Sequence, residues 1–128
     1  MKTFTFRYSP NEPSIGSRMM KAARTGKPDL HPDELVSRSL KGLLAVASES
    51  KLDIFETILQ EKPSSIYELA EKVGKSQSYV LKEVRVLEGL GLIRLHRENE
   101  GGRERLRPEA LYSKIIIDCG FESKKVAS

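Results

Sequence analysis

Lys75–Ile93 reads KSQSYVLKEVRVLEGLGLI, and the fold follows from how this run is read. On an α-helix, at about 100° per residue, it separates into two faces. Val80, Val84 and Leu87 fall on one stripe, and Ser78, Lys82 and Arg85 fall on the opposite one. The first face can be buried; the second stays open unless something polar or anionic meets it. Ser, Lys and Arg on an open helix face suit the major groove of duplex DNA, where Lys and Arg reach guanine edges or phosphates and Ser reaches either.

Working outward, Ile66, Leu69, Ala70 and Val73 repeat at helical spacing just upstream. Ser65 followed by Glu68 fits a capping box that starts this shorter helix at Ile66, and Pro63 stops the helix before it. Gly74 permits a sharp bend, Ser76 can cap the next helix, and Gly91 ends it. Leu92, Ile93 and Leu95 begin an extended segment. Glu98–Glu104 (ENEGGRE) is a polar turn, and Arg105–Arg107 returns as a second strand. Short helix, tight turn, longer helix and charged hairpin is the order of a winged helix-turn-helix, with recognition helix 76–90 and wing 93–107.

The run Leu87-Glu88-Gly89-Leu90-Gly91-Leu92-Ile93 resembles the signature that closes the recognition helix of MarR-like winged-helix regulators, and the Ile66–Val73 helix ending at Gly74 resembles the helix before it. More of the chain is similar to a prokaryotic subgroup of small predicted regulators, some antitoxin-like. Ala22–Lys27 and Ser113–Cys119 match that subgroup loosely. The resemblance implies a DNA-binding class and not a particular operator.

The chain of 128 residues fits one domain with an extension. Its hydrophobic content of 38% beside 31% charged residues is that of a soluble protein. It lacks an apolar run of the roughly 20 residues needed to span a membrane, and MKTFTFRYS lacks a signal peptide's apolar core. A cytoplasmic protein is the simplest expectation. The single Cys119 excludes an internal disulfide and a multi-Cys zinc site. Net charge is +4, unevenly spread: residues 75–107 carry eight basic and five acidic side chains, whereas residues 33–74 carry five and eight. Nucleic-acid binding predicts that asymmetry, and chance variation of a solvated surface could also produce it.

In chain order, Lys2–Tyr8 alternates with Phe4 and Phe6 on one face, as a half-buried strand does. Ile15–Thr25 suits a short helix whose Arg18, Lys21 and Arg24 form a solvated face or an arm towards phosphates. From Pro32 a helix is expected through Leu35, Val36, Leu40, Leu43, Leu44 and Val46, packed on the N-terminal segment or on a second subunit. Ser50 can cap a further helix through Leu59. Pro108–Tyr112 reads as irregular. Ile115–Ile117 reads as a strand buried on both sides, paired with Lys2–Tyr8 within one subunit or across two. This gives an N-terminal extension over 1–32, a winged-helix domain over 33–121 with the preceding helix and the C-terminal strand, and a tail over 122–128.

Chemistry is poorly served. His31 and His96 have no second ligand at metal spacing, Cys119 reads as a core thiol, and no phosphate loop or nucleophile elbow is present. No catalytic residue, metal or cofactor is expected. The candidate DNA contacts are Ser65, Tyr67, Lys75, Ser76, Gln77, Ser78, Tyr79, Lys82, Arg85, Arg97, Arg103 and Arg105. Tyr79 could stack on the DNA backbone or pack on the preceding helix; Val86 is expected to pack under the wing. Glu98, Glu100 and Glu104 weaken the case for the wing arginines by repelling the same phosphates. The expected fold is therefore mostly α with small β, and the expected function is sequence-specific double-stranded DNA binding by a homodimeric transcriptional regulator. The rival is a winged-helix protein-interaction module without DNA contact, antitoxin-like or a scaffold, because fold does not fix function. A protein partner is as good a candidate regulator as a small ligand.

Overall fold

The computed structural model describes residues 2–10 and 33–121. They form an α+β protein in the order β1 (Thr3–Tyr8), β2 (Glu34–Ser37), α1 (Leu40–Val46), α2 (Glu49–Glu61), α3 (Ile66–Val73), α4 (Gln77–Gly89), β3 (Ile93–Glu100), β4 (Arg103–Ala110) and β5 (Lys114–Asp118). The helix expected over Ile15–Thr25, with Arg18, Lys21 and Arg24, lies outside the described residues, as do His31 and the tail 122–128. The described residues group into two compact units, one of residues 2–3 with 48–114, the other of 4–10, 33–47 and 115–121.

The first unit holds α2, α3, α4 and the β3–β4 hairpin. Ser48 caps α2 by accepting from the Lys51 N–H, and Lys62 ends it in the left-handed region at φ 48°. The cap expected at Ser50 is thus two residues early in the chain, and the Ser50 hydroxyl is used elsewhere. Ser65 caps α3 through the Glu68 N–H. The reciprocal half of the expected capping box has moved by one residue: Glu68 Oε2 accepts from Ser64 N (3.3 Å) and Ser64 Oγ (2.6 Å). Gly74, at φ 69°, ends α3 and lets both its own N–H and that of Lys75 reach the Ala70 carbonyl. Ser76 caps α4 through Tyr79 N. After Gly89 the chain closes the helix with Gly91 at φ 83° and a Leu92 N–H to Leu87 carbonyl bond of 3.0 Å.

Ile54, Phe55 and Ile58 of α2, Ile66, Leu69 and Ala70 of α3, Val80, Val84 and Leu87 of α4, and Leu92 and Ile93 at the hairpin root are all buried. Each helix contributes residues spaced three or four apart, so three apolar stripes meet in one core. Removing one of these side chains, Leu87→Ala for example, costs about 2–5 kcal/mol through lost transfer energy and a cavity.

The hairpin is longer than expected. Its antiparallel register pairs Ile93 with Ala110 and Glu100 with Arg103. Gly101 and Gly102 alone form the turn, at φ 61° and 81°. Positive φ at both central residues is the type I′ geometry that matches strand twist. Pro108 and Glu109, expected to be irregular, are paired in β4. Pro108 lies opposite Leu95, whose N–H turns away from β4 to Glu88 Oε2 (3.2 Å). That position of the ladder needs no N–H from Pro108, so the proline is tolerated.

The second unit is a three-stranded sheet in the order β2-β1-β5, with α1 beside β2. β1 and β2 are parallel, with Phe6 opposite Leu35 and Arg7 opposite Val36. Residues 34–37 are therefore a strand and not the start of the expected helix. Parallel pairing with β1 fixes their conformation, Arg7 Nη2 binds Glu34 Oε1 at 2.6 Å, and Ser39 caps α1 only at Leu40. Phe4, Phe6, Val36 and Leu43 of this unit are buried, the two phenylalanine rings meeting edge to face at 5.1 Å. β5 pairs within the same chain, but it is not buried: Ile116 is 39% and Ile117 41% exposed. Among the described residues it is an edge strand with a neighbour on one side only. Cys119 lies just past its end, free and half-buried, and is not a core thiol.

Among the described residues no helix is long and apolar enough to cross a membrane, and no cluster of His, Cys, Asp or Glu side chains is placed to hold a metal ion.

Candidate nucleic-acid interface

The amphipathic reading of α4 holds at the level of side chains. Val80, Val84 and Leu87 are buried, whereas Ser78, Lys82 and Arg85 are exposed. Lys75 and Gln77 at the helix start are exposed as well. Lys75, Lys82 and Arg85 have no ion-pair partner among the described residues. Unpaired exposed cations keep their full charge for an external anion, and no internal bond is lost when one arrives.

One flank of α4 is committed elsewhere. The Tyr79 hydroxyl is hydrogen-bonded to Ser50 Oγ on α2, and Ser50 Oγ also donates to Glu83 Oε2 at 3.3 Å. Lys51 Nζ lies 3.4 Å from the same carboxylate oxygen. Of the two roles open to Tyr79, its hydroxyl takes the internal one, packing against α2 and not α3, while the ring remains 38% exposed. Glu83 is the residue the sequence reading passed over. It is buried on the α4 side that faces α2; its helical phase, three residues after Val80 and four before Leu87, sets it beside the apolar stripe, but its partners Ser50 and Lys51 lie more than thirty residues earlier. Val86, expected to pack under the hairpin, is 37% exposed.

The hairpin carries a different electrostatic pattern. Arg97 pairs with Glu104 (3.1 Å), Arg105 with Glu100 (2.7 Å), Arg107 with Glu98 (2.6 Å) and His96 with Glu109 (2.9 Å). The His96 hydrogen bond holds the Glu109 carboxyl below its ordinary range. These are diagonal cross-strand pairs, possible because every second residue shares a face. Two of the three hairpin arginines proposed to meet DNA are thus matched by carboxylates of the same hairpin. Arg103, beside the turn, is exposed and has no ion-pair partner among the described residues.

Six of the twelve candidates line one groove of about 760 Å³: Ser65, Tyr67, Gln77, Ser78, Arg103 and Arg105. The groove runs between the starts of α3 and α4 and the hairpin tip. Its other lining residues include Glu68, Glu71, Glu100 and Glu104, which outnumber its two arginines. Ser64 holds Glu68 ionised by donating through both hydroxyl and backbone N–H, so the Glu68 carboxyl titrates below its ordinary range. Tyr67, 58% exposed, has its phenol pushed upward by a hydrogen bond to Glu71 and by that residue's charge. The groove lining is therefore net acidic; of the unpaired cations, Arg103 lines it, whereas Lys75, Lys82 and Arg85 lie outside it. Ser65 and Ser76 spend their hydroxyls on helix caps.

A family model described as HVO_A0114 matches residues 46–117, more than half of the chain, and the chain belongs to that family. The matched segment spans α2, α3, α4, both hairpin strands and most of β5. No curated protein matches the chain.

Proposed function

We propose that this member of the HVO_A0114 family is a winged helix-turn-helix transcriptional regulator that binds double-stranded DNA sequence-specifically as a homodimer. In this reading α4 is the recognition helix and the β3–β4 hairpin is the wing. The observation that carries it is the open face of α4, where Ser78, Lys82 and Arg85 stand exposed and no side chain of the hairpin neutralises the two cations. Lys82 and Arg85 lie three residues apart, so both can enter one groove, Arg85 offering a bidentate fork to guanine. Arg103 at the wing tip suits a phosphate. One recognition helix reads only a few base pairs, and a two-fold dimer doubles the site.

A second reading has its own support. The four carboxylates between the helix starts and the wing tip suit a basic segment of another protein better than a phosphate backbone. Titrating labelled duplexes against the protein over a range of salt separates the two. DNA binding through several phosphates makes log affinity fall with log salt by roughly 0.9 per phosphate. Absence of any complex at low salt would leave the protein-interaction reading.

A further inference from the structure

Among the described residues the outer edge of β5 is open, and its sequence is self-complementary when turned against itself. The strand reads Lys114-Ile115-Ile116-Ile117-Asp118, and β1 lies on one side of it only. Lys114, Ile116, Ile117 and Asp118 are exposed. Just before the strand, the Ser113 N–H turns towards β1 and meets the Lys2 carbonyl at 3.0 Å. Backbone groups alternate sides along a strand, so Lys114, Ile116 and Asp118 turn their N–H and C=O groups to the open edge. An open edge with isoleucines on it pairs readily with another strand.

We infer that β5 is the homodimer interface: it pairs antiparallel with β5 of a second copy, centred on Ile116, to give one six-stranded sheet across the two-fold axis. Charge fixes both the occupant and the register. With Ile116 opposite Ile116 of the second copy, Lys114 of each chain faces Asp118 of the other, and Ile115 faces Ile117. All three outward-turned residues then exchange backbone bonds with their opposites, which no shifted register allows. Sliding until Lys114 meets Lys114, or Asp118 meets Asp118, opposes like charges, which is unfavourable across a ladder. A two-fold interface requires one patch that fits itself, and this strand does. Five residues make a small interface, so the dimer should form at micromolar rather than nanomolar concentration. The inference rests on the proposed dimer and not on DNA contact.

The test uses full-length chains bearing Lys114→Asp or Asp118→Lys, examined by sedimentation from about 1 to 200 μM, with melting curves as a folding control. Both positions are exposed, so each variant should fold. Each alone opposes like charges twice and should dimerise ~10- to 100-fold more weakly than wild type. Mixed in equal amounts they should form a heterodimer, because every Asp of the first chain then faces a Lys of the second. Wild-type protein that stays monomeric throughout overturns both the dimer and this interface. A wild-type dimer indifferent to both substitutions, or a mixture no tighter than its components, overturns the β5 interface while leaving the dimer and the DNA reading in place.

Discussion

Arg105 Nη2 sits 2.7 Å from Glu100 Oε2, so the hairpin tip neutralises one of its own candidate DNA contacts. The pair is partly exposed, and such pairs add little stability, about 0–1 kcal/mol. Its larger consequence is for binding. Glu100→Gln should release Arg105 and remove a charge that repels phosphate. We expect tighter binding to all duplexes alike and a salt slope steeper by up to about one unit, with the melting temperature nearly unchanged. Fluorescence anisotropy at several salt concentrations measures it. Unchanged affinity would place the hairpin away from the phosphates.

Tyr79 is expected to matter for stability before it matters for DNA. Tyr79→Phe keeps the ring and removes the hydroxyl bonded to Ser50. We expect a loss of about 0.5–1.5 kcal/mol with DNA affinity little changed. Glu83→Ala should cost more, about 1.5–3 kcal/mol, because it strips both Lys51 and Ser50 of a partner near the core. Denaturant titration of the two variants tests the order.

How far these roles could be read from the sequence depended on how local their causes are. Ser65, Gly74, Ser76 and Gly91 act on backbone groups within a few residues of themselves, so the bounds of α3 and α4 were legible. Residues 34–37 were not. Their apolar pattern allows helix or strand, and β1, which decides it, lies some thirty residues away in the chain. The Ile115–Ile117 run showed a strand but not that, among the described residues, it has a neighbour on one side only. At the candidate site, the open face of α4 was visible from periodicity, whereas the matching of Arg97 and Arg105 by Glu104 and Glu100 depends on the hairpin register. The register follows from a two-residue turn at Gly101–Gly102 that the wider polar stretch ENEGGRE concealed.

Acidification should weaken the fold through Glu68. Hydrogen bonds from Ser64 lower its carboxyl in the folded chain. The folded state therefore binds this proton less readily than the unfolded one. The stabilisation is fully present above the ordinary carboxylate range and is lost as pH falls through the lowered folded value. Glu109, lowered by His96, follows the same sign. Ser64→Ala should return the Glu68 carboxyl towards its ordinary range, visible by carboxyl-carbon NMR titration, and reduce the difference in stability between neutral and acidic pH. An unmoved Glu68 titration would contradict the assigned cause.

The recognition role of α4 is tested most directly by comparing Arg85→Ala with Arg103→Ala. The preferred duplex is first recovered by selection from random sequences, and each variant is then titrated against it and against a scrambled duplex, with melting curves alongside. Both side chains are exposed, so stability should change by under about 0.5 kcal/mol. Arg85→Ala should lose about 1–3 kcal/mol on the preferred duplex, little on the scrambled one, and relax preference at one base pair per half-site. Arg103→Ala should weaken both equally and flatten the salt slope by about one unit. Equal loss on both duplexes for Arg85→Ala would take base reading away from Arg85, and no loss from either folded variant would contradict DNA binding by this surface.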